Sequence, residues 1–226
     1  MTDDRKSGLA LIAGSIGLII TMALHPTGHD LLAPGQFDRI ARLVVAVHTL
    51  ALASIPVMFL GALGLSRRLA SPDKLSVCAV VAYGFAGIAA MNAAAFSGLV
   101  APGLARPMAA ATPASETANL WSVLFAYNGF LNQAFAMVFV VASSAALALW
   151  SVAILRNGLL ARGVGVYGCI LGPLTVVAVL SGHLRLNVHG FGLVVLSQAI
   201  WFVIVGVMLC RPGPATPPVL RLKQSP

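Results

Sequence analysis

Five histidines are the residues of this chain best equipped for chemistry: His25, His29, His48, His183 and His189. A neutral imidazole is the commonest metal ligand and a ready proton acceptor. The stretch His25-Pro26-Thr27-Gly28-His29-Asp30 gathers three ligand-type side chains, with Pro and Gly to fix a turn. Those same Pro and Gly residues argue against a continuous helix, so the i,i+4 spacing of His25 and His29 is not taken as a shared helix face. Ser181-Gly182-His183 and Asn187-Val188-His189-Gly190 frame a tight hairpin that keeps its two imidazoles close. Together these residues predict a centre for a divalent metal, its ligands drawn from His25, His29, His48, His183 and His189. Asp30 and Glu116 would serve it as acid–base groups or as partners of the ligands. Haem is the alternative cofactor, with His48 and either His183 or His189 as axial ligands.

Several familiar catalytic patterns are missing. The sequence has no HExxH, no GxSxG, no phosphate-binding GxxxxGK and no CxxCH. Gly163-x-Gly165-x-x-Gly168 spells a dinucleotide fingerprint, but it opens an apolar run with no strand before it, so it reads as a packing motif. Cys78, Cys169 and Cys210 are far apart, within or at the ends of apolar runs. They form no disulfide framework and read as small hydrophobes.

The elements that must carry the histidines are membrane spans. Of the 226 residues 59% are hydrophobic and only 9% charged, and mean hydropathy is +0.94. A soluble domain carries about 25% charged residues, and one soluble core could not hide this much apolar surface. The pattern predicts an all-α polytopic bundle of six transmembrane helices over 8–24, 40–65, 75–100, 119–155, 164–180 and 188–209, with a disordered tail at 211–226. The first run is long for a signal peptide and lacks a small-residue cleavage pattern, so it reads as a retained helix. Pro56 predicts a kink in the second helix. The prolines at 102, 107 and 113 mark a long connection, with Thr112 before Pro113 resembling an N-cap. The fourth run is too long for one perpendicular span, so it must tilt or project into water.

Charge sets the orientation. The 14 Lys and Arg against 6 Asp and Glu give +8, a balance that on a soluble chain would suggest nucleic acid. Here the cations cluster between apolar runs and no nucleic-acid motif appears. With the N-terminus inside, Arg5, Lys6, Arg67, Arg68, Lys74, Arg156, Arg162, Arg211, Arg221 and Lys223 fall inside, and Arg39, Arg42, Arg106 and Arg185 outside. Cytoplasmic loops carry the excess of Lys and Arg, so both termini are placed in the cytoplasm. All five histidines then lie toward the outer face. Asn92, Tyr127, Asn128, Asn132, Gln133 and Gln198 could form a polar wall beneath them, or else hydrogen-bond helix to helix.

The function expected on these grounds is a plasma-membrane protein with a histidine-rich metal site at its outer face, acting on a lipid-like or small apolar substrate. A haem-binding electron carrier, a small transporter and an assembly subunit are the alternatives. The expected partners are the bilayer and a lipid-like substrate, with a homo-oligomer or a membrane partner subunit, and no nucleic acid.

Overall fold

The computed structural model describes residues 3–26, 36–70, 74–112 and 115–211. Those residues are helical throughout apart from turns, with no strand among them. The helices are α1 (Asp3–Ala23), α2 (Phe37–Arg68), α3 (Leu75–Ala95), α4 (Ala101–Ala110), α5 (Glu116–Asn157), α6 (Arg162–Leu180) and α7 (Val188–Cys210), with a π-helical turn at Phe96–Val100 joining α3 to α4. Six helical units are long and apolar enough to cross a membrane, with α3, the π turn and α4 counting as one over Leu75–Ala110. The expected count and class are therefore found. His29, Asp30, Pro113 and the tail from 212 onward lie outside the described residues.

Most helices overrun the expected bounds by a few residues, as α1 begins at Asp3 rather than 8 and α2 ends at Arg68 rather than 65, and two further differences bear on the site. The third helix does not stop at 100 but runs on to Ala110. Pro102 sits at the first positions of α4, right after the π turn, where a missing N–H leaves no helical bond unmade. The N-cap of α5 is Ser115, whose hydroxyl accepts from Ala118 N at 3.1 Å, and not Thr112. At the other end Gly158 closes α5 with φ of +64°, the left-handed cap that glycine takes at no steric cost. Between these caps α5 is one unbroken helix of 42 residues, about 63 Å at 1.5 Å per residue.

Close backbone approach holds the bundle together. In lipid there is little hydrophobic drive between helices, so packing and hydrogen bonds decide association. A Cβ on Gly61 would lie 2.7 Å from Leu11 N, and one on Gly14 2.8 Å from Met58 Cβ, so α1 and α2 touch along their backbones. Gly172 meets the Ser144 carbonyl of α5 in the same way. The core nearest the termini is aromatic: Trp150, Trp201 and Phe202 are fully buried, with Tyr83 beside them. Each indole N–H is satisfied, Trp150 donating to Ser66 Oγ at 2.8 Å and Trp201 to Val164 O at 3.0 Å. Gln198 donates to Ser144 Oγ at 3.1 Å. It is a cross-helix hydrogen bond and not part of a wall under the histidines.

The start of α1 and the end of α7 lie at one face of the bundle. Arg68 pairs with Asp4 at 3.7 Å, Cys210 Sγ lies 3.7 Å from Arg5 O, and Asn157 Nδ2 donates to Leu69 O at 3.0 Å. At the opposite end α1, α6 and α7 stop, while α2, α4 and α5 continue. Thr21 Oγ1 lies 3.2 Å from Val47 O, so α1 ends level with about residue 48 and the first eleven residues of α2, 37 to 47, extend past it by about 16 Å. Gly172 against Ser144 brings the last residue of α6 level with about residue 136, so α5 extends some 20 residues, or about 30 Å, beyond. A small core of Ala41, Val44, Ala101 and Ala105, with Phe37, Ile40 and Phe125 against it, ties the three extensions together.

Candidate functional site at the foot of the projection

The point where α1 ends against α2 brings two of the five histidines together. His25 Nε2 and His48 Nε2 are 3.1 Å apart, with ring centroids at 4.7 Å and planes at 68°. Helix α2 buries His48 to 4% exposure. Each imidazole spends its other nitrogen on a backbone carbonyl. His48 Nδ1 lies 2.7 Å from Val44 O, one turn back, and His25 Nδ1 lies 2.7 Å from Pro26 O. A carbonyl only accepts, so both Nδ1 atoms carry their protons and both Nε2 atoms present lone pairs. Two neutral rings held so would set lone pair against lone pair. A proton shared between the rings, or a metal ion, would relieve that opposition.

Space for His48 comes from the π turn. A Cβ on Gly98 would collide with Cβ, Cγ and Cδ2 of His48, so only glycine lets the α3–α4 unit lie against this ring. π-helical turns recur at functional sites. Asn128 of α5 locks the turn from behind by donating to Phe96 O at 3.2 Å. Its own Oδ1 is buried without a hydrogen-bond partner. The sequence pointed to Asn128 as polar and buried, but nothing in it marked Gly98.

The other expected ligands are elsewhere. His183 is exposed in the turn after α6, where its Nδ1 is 2.8 Å from Ser181 Oγ. His189 is exposed in the first turn of α7 and shares a cleft with His25. Glu116 is exposed at the tip of α5. It stands twelve residues from Asn128, about 18 Å along the axis, so it is not an acid–base group of this site. Among the described residues no three His, Cys, Asp or Glu side chains group to hold a metal. Of the expected ligands the structure brings His25 and His48 together, with His183 bonded in its own turn and His189 across the cleft from His25. His29 and Asp30 fall outside the described residues. The polar wall is not built either: Asn92 bonds its own helix at Ile88 O, and Gln133 and Tyr127 are exposed.

The haem alternative pairs His48 with His183 or His189, whereas the structure sets His48 Nε2 against His25 and His183 against Ser181 in its own turn.

Comparison with family models, with curated proteins and with solved structures finds no match. The site must be read from its own geometry.

The cleft beside His25 has a volume of about 410 Å³. Ile19 and Met22 of α1 and Val195 and Leu196 of α7 supply apolar walls, and His25 and His189 the imidazoles. It opens between the end of α1 and the start of α7.

His25 lies just past the end of α1, and burial pushes its imidazole below the ordinary 6.5, against the smaller upward effect of its bond to Pro26 O. As pH falls below 6.5 the unfolded chain therefore takes up this proton before the folded one does. The stability contributed by the neutral ring is complete above that value and drains away below it. Thermal unfolding of the metal-free protein in detergent is expected to move to lower temperature between about pH 7 and about pH 5. In His25→Gln it should move less. An unchanged pH profile in that variant would remove the buried neutral His25 from the account.

Proposed function

We propose that this multi-pass membrane protein holds one transition-metal ion between His25 and His48 and uses it on a lipid-like substrate entering from the bilayer. The observation that carries the reading is the 3.1 Å gap between two Nε2 atoms whose Nδ1 protons both engage carbonyls. An imidazole that ligates through one nitrogen and donates from the other to a carbonyl is the usual second-shell arrangement of metal-bound histidine. With metal–nitrogen bonds of about 2.0–2.1 Å, a 3.1 Å separation gives a ligand–metal–ligand angle of about 95–102°, between octahedral and tetrahedral values. Burial lowers the pKa of His25, which keeps its Nε2 lone pair free to ligate. Two protein ligands leave coordination positions open, as catalytic sites require, and the bound ion would polarise a substrate oxygen or lower the pKa of water.

The cleft between α1 and α7 supports the lipid-like substrate class, because its apolar walls lead to His25. The charge distribution supports an outward-facing site in the plasma membrane. Among the described residues the terminal face of the bundle carries Arg5, Lys6, Arg67, Arg68, Lys74, Arg156, Arg162 and Arg211, and the histidine end only Arg39, Arg42, Arg106 and Arg185.

Metal analysis of protein purified without a histidine tag tests the reading. One equivalent of zinc, copper, iron or cobalt is expected in the native chain, and none in His25→Ala or His48→Ala. A metal-free native chain that also fails to take up Co²⁺ would leave a shared proton between the rings and sink the metal-dependent function.

A further inference from the structure

We propose that two copies of this chain pair in parallel along the projecting part of α5, through a seam made by Leu120, Val123, Tyr127 and Phe130. The inference is independent of the metal reading. It begins with lengths. Helices α1, α6 and α7 have 21, 19 and 23 residues, or about 32, 29 and 35 Å, and so match a hydrocarbon core of about 30 Å. They fix where the bilayer sits. The first 20 or so residues of α5 then stand outside it, together with the start of α2 and with α4.

Elsewhere the projection is mixed: Leu43 and Val45 of α2 are 39% and 38% exposed, and charged groups lie beside them. Arg106 bonds Asp38 at 2.8 Å, with both side chains about two-thirds exposed, and Arg39 and Arg42 lie on the same stretch of α2. One face of α5 is different. Leu120, Val123, Tyr127 and Phe130 are 58%, 65%, 60% and 73% exposed. Large apolar side chains so exposed in water, in line along one helix, mark an interaction surface. Lipid does not reach them at this height.

The spacing says what covers the stripe. Steps of three, four and three residues give the a and d positions of a heptad, the seam along which two helices lock knobs into holes. The opposite face is already occupied, through Phe125 on the small core with Ala101 and Ala105 and through Asn128 on the π turn. Along the seam the flanking positions are Asn119, Ala126 and Gln133 on one side and Leu124 and Leu131 on the other, with no charge between Thr117 and Gln133 to repel an identical helix. Ala126 and Gly129 are small and exposed, and a Cβ on Gly129 would meet nothing within 4 Å. Every copy enters the bilayer the same way round. A pair therefore has a two-fold axis along the membrane normal, and each seam residue meets its own counterpart, as a self-complementary interface demands.

Oxidative cross-linking in native membranes tests this, in a chain whose Cys78, Cys169 and Cys210 are serine. Val123→Cys is expected to give a disulfide-linked dimer, and Ser122→Cys, one position round the helix, none. Phe130→Arg should give a monomer by mass in detergent while helicity and thermal unfolding stay near native, and the unsubstituted chain a dimer. Equal cross-linking at 122 and 123, a monomeric native chain, or labelling of Tyr127 and Phe130 by a lipid-phase photoreactive probe would each overturn the pairing.

Discussion

Cysteine at position 103, in a chain with its native cysteines replaced by serine, is expected to react fully with a membrane-impermeant maleimide in intact cells. Cysteine at position 159 is expected to react only after the cells are broken. Gly103 lies on α4, in the projection, with open space where a side chain would go. Leu159 lies 47% exposed in the turn between α5 and α6, at the face where α1 begins and α7 ends. The excess of Lys and Arg sits at that face, and translocating those positive segments outward is what the orientation rule opposes. Ala105 belongs to the same helix as Gly103 but is fully buried, so it would stay silent in either orientation. The reverse pattern, with 159 labelled and 103 protected, would turn the histidine pair and its cleft toward the cytoplasm.

The six spans were legible because lipid imposes a simple demand: long apolar runs with every backbone group bonded inside the helix. The excess length of the fourth run was equally plain, and α5 carries it as an unbroken helix. The continuation of α3 into α4 was hidden. Prolines at 102 and 107 read as breakers, yet Pro102 occupies the start of a fresh helical segment after a π turn, and no composition rule announces a π turn. The histidines show the limit more sharply. Charge placed all five toward one end, but position along the membrane normal says nothing about which face of a helix they occupy. The spanning part of α2 is apolar on every side, so its face is set where Gly61 of α2 meets Leu11 and Gly14 of α1 meets Met58, a clasp between residues more than 40 apart in sequence. That clasp delivers His48 to His25. Nothing comparable turns His183, which instead bonds Ser181 in its own turn, or reaches Glu116 at the tip of α5.

The same substitution at two glycines five residues apart is expected to give opposite results. Gly→Ala in a helix relieves backbone entropy and is stabilising by roughly 0.5–1 kcal/mol where nothing opposes it. Gly103 meets that condition, since its added Cβ finds no atom within 4 Å. Gly103→Ala should therefore raise the unfolding temperature slightly and leave the proposed metal site untouched. At Gly98 the same methyl group would overlap His48 at Cβ, Cγ and Cδ2. The root of the ring cannot swing away as a flexible tip would, so the π turn and α2 must separate. Overpacking of this kind costs about 1–3 kcal/mol, which outweighs the entropic gain, and Gly98→Ala is expected to unfold at lower temperature. A displacement of the ring also breaks the register of two Nε2 atoms now 3.1 Å apart. Displacements of about 1 Å are enough to ruin a site that depends on bonds of about 2 Å. Metal content should thus fall sharply in Gly98→Ala although both histidines are still present, while Gly103→Ala keeps its full equivalent. If both variants bind metal alike, the π turn does not position His48, and ligation rests on residues other than this pair.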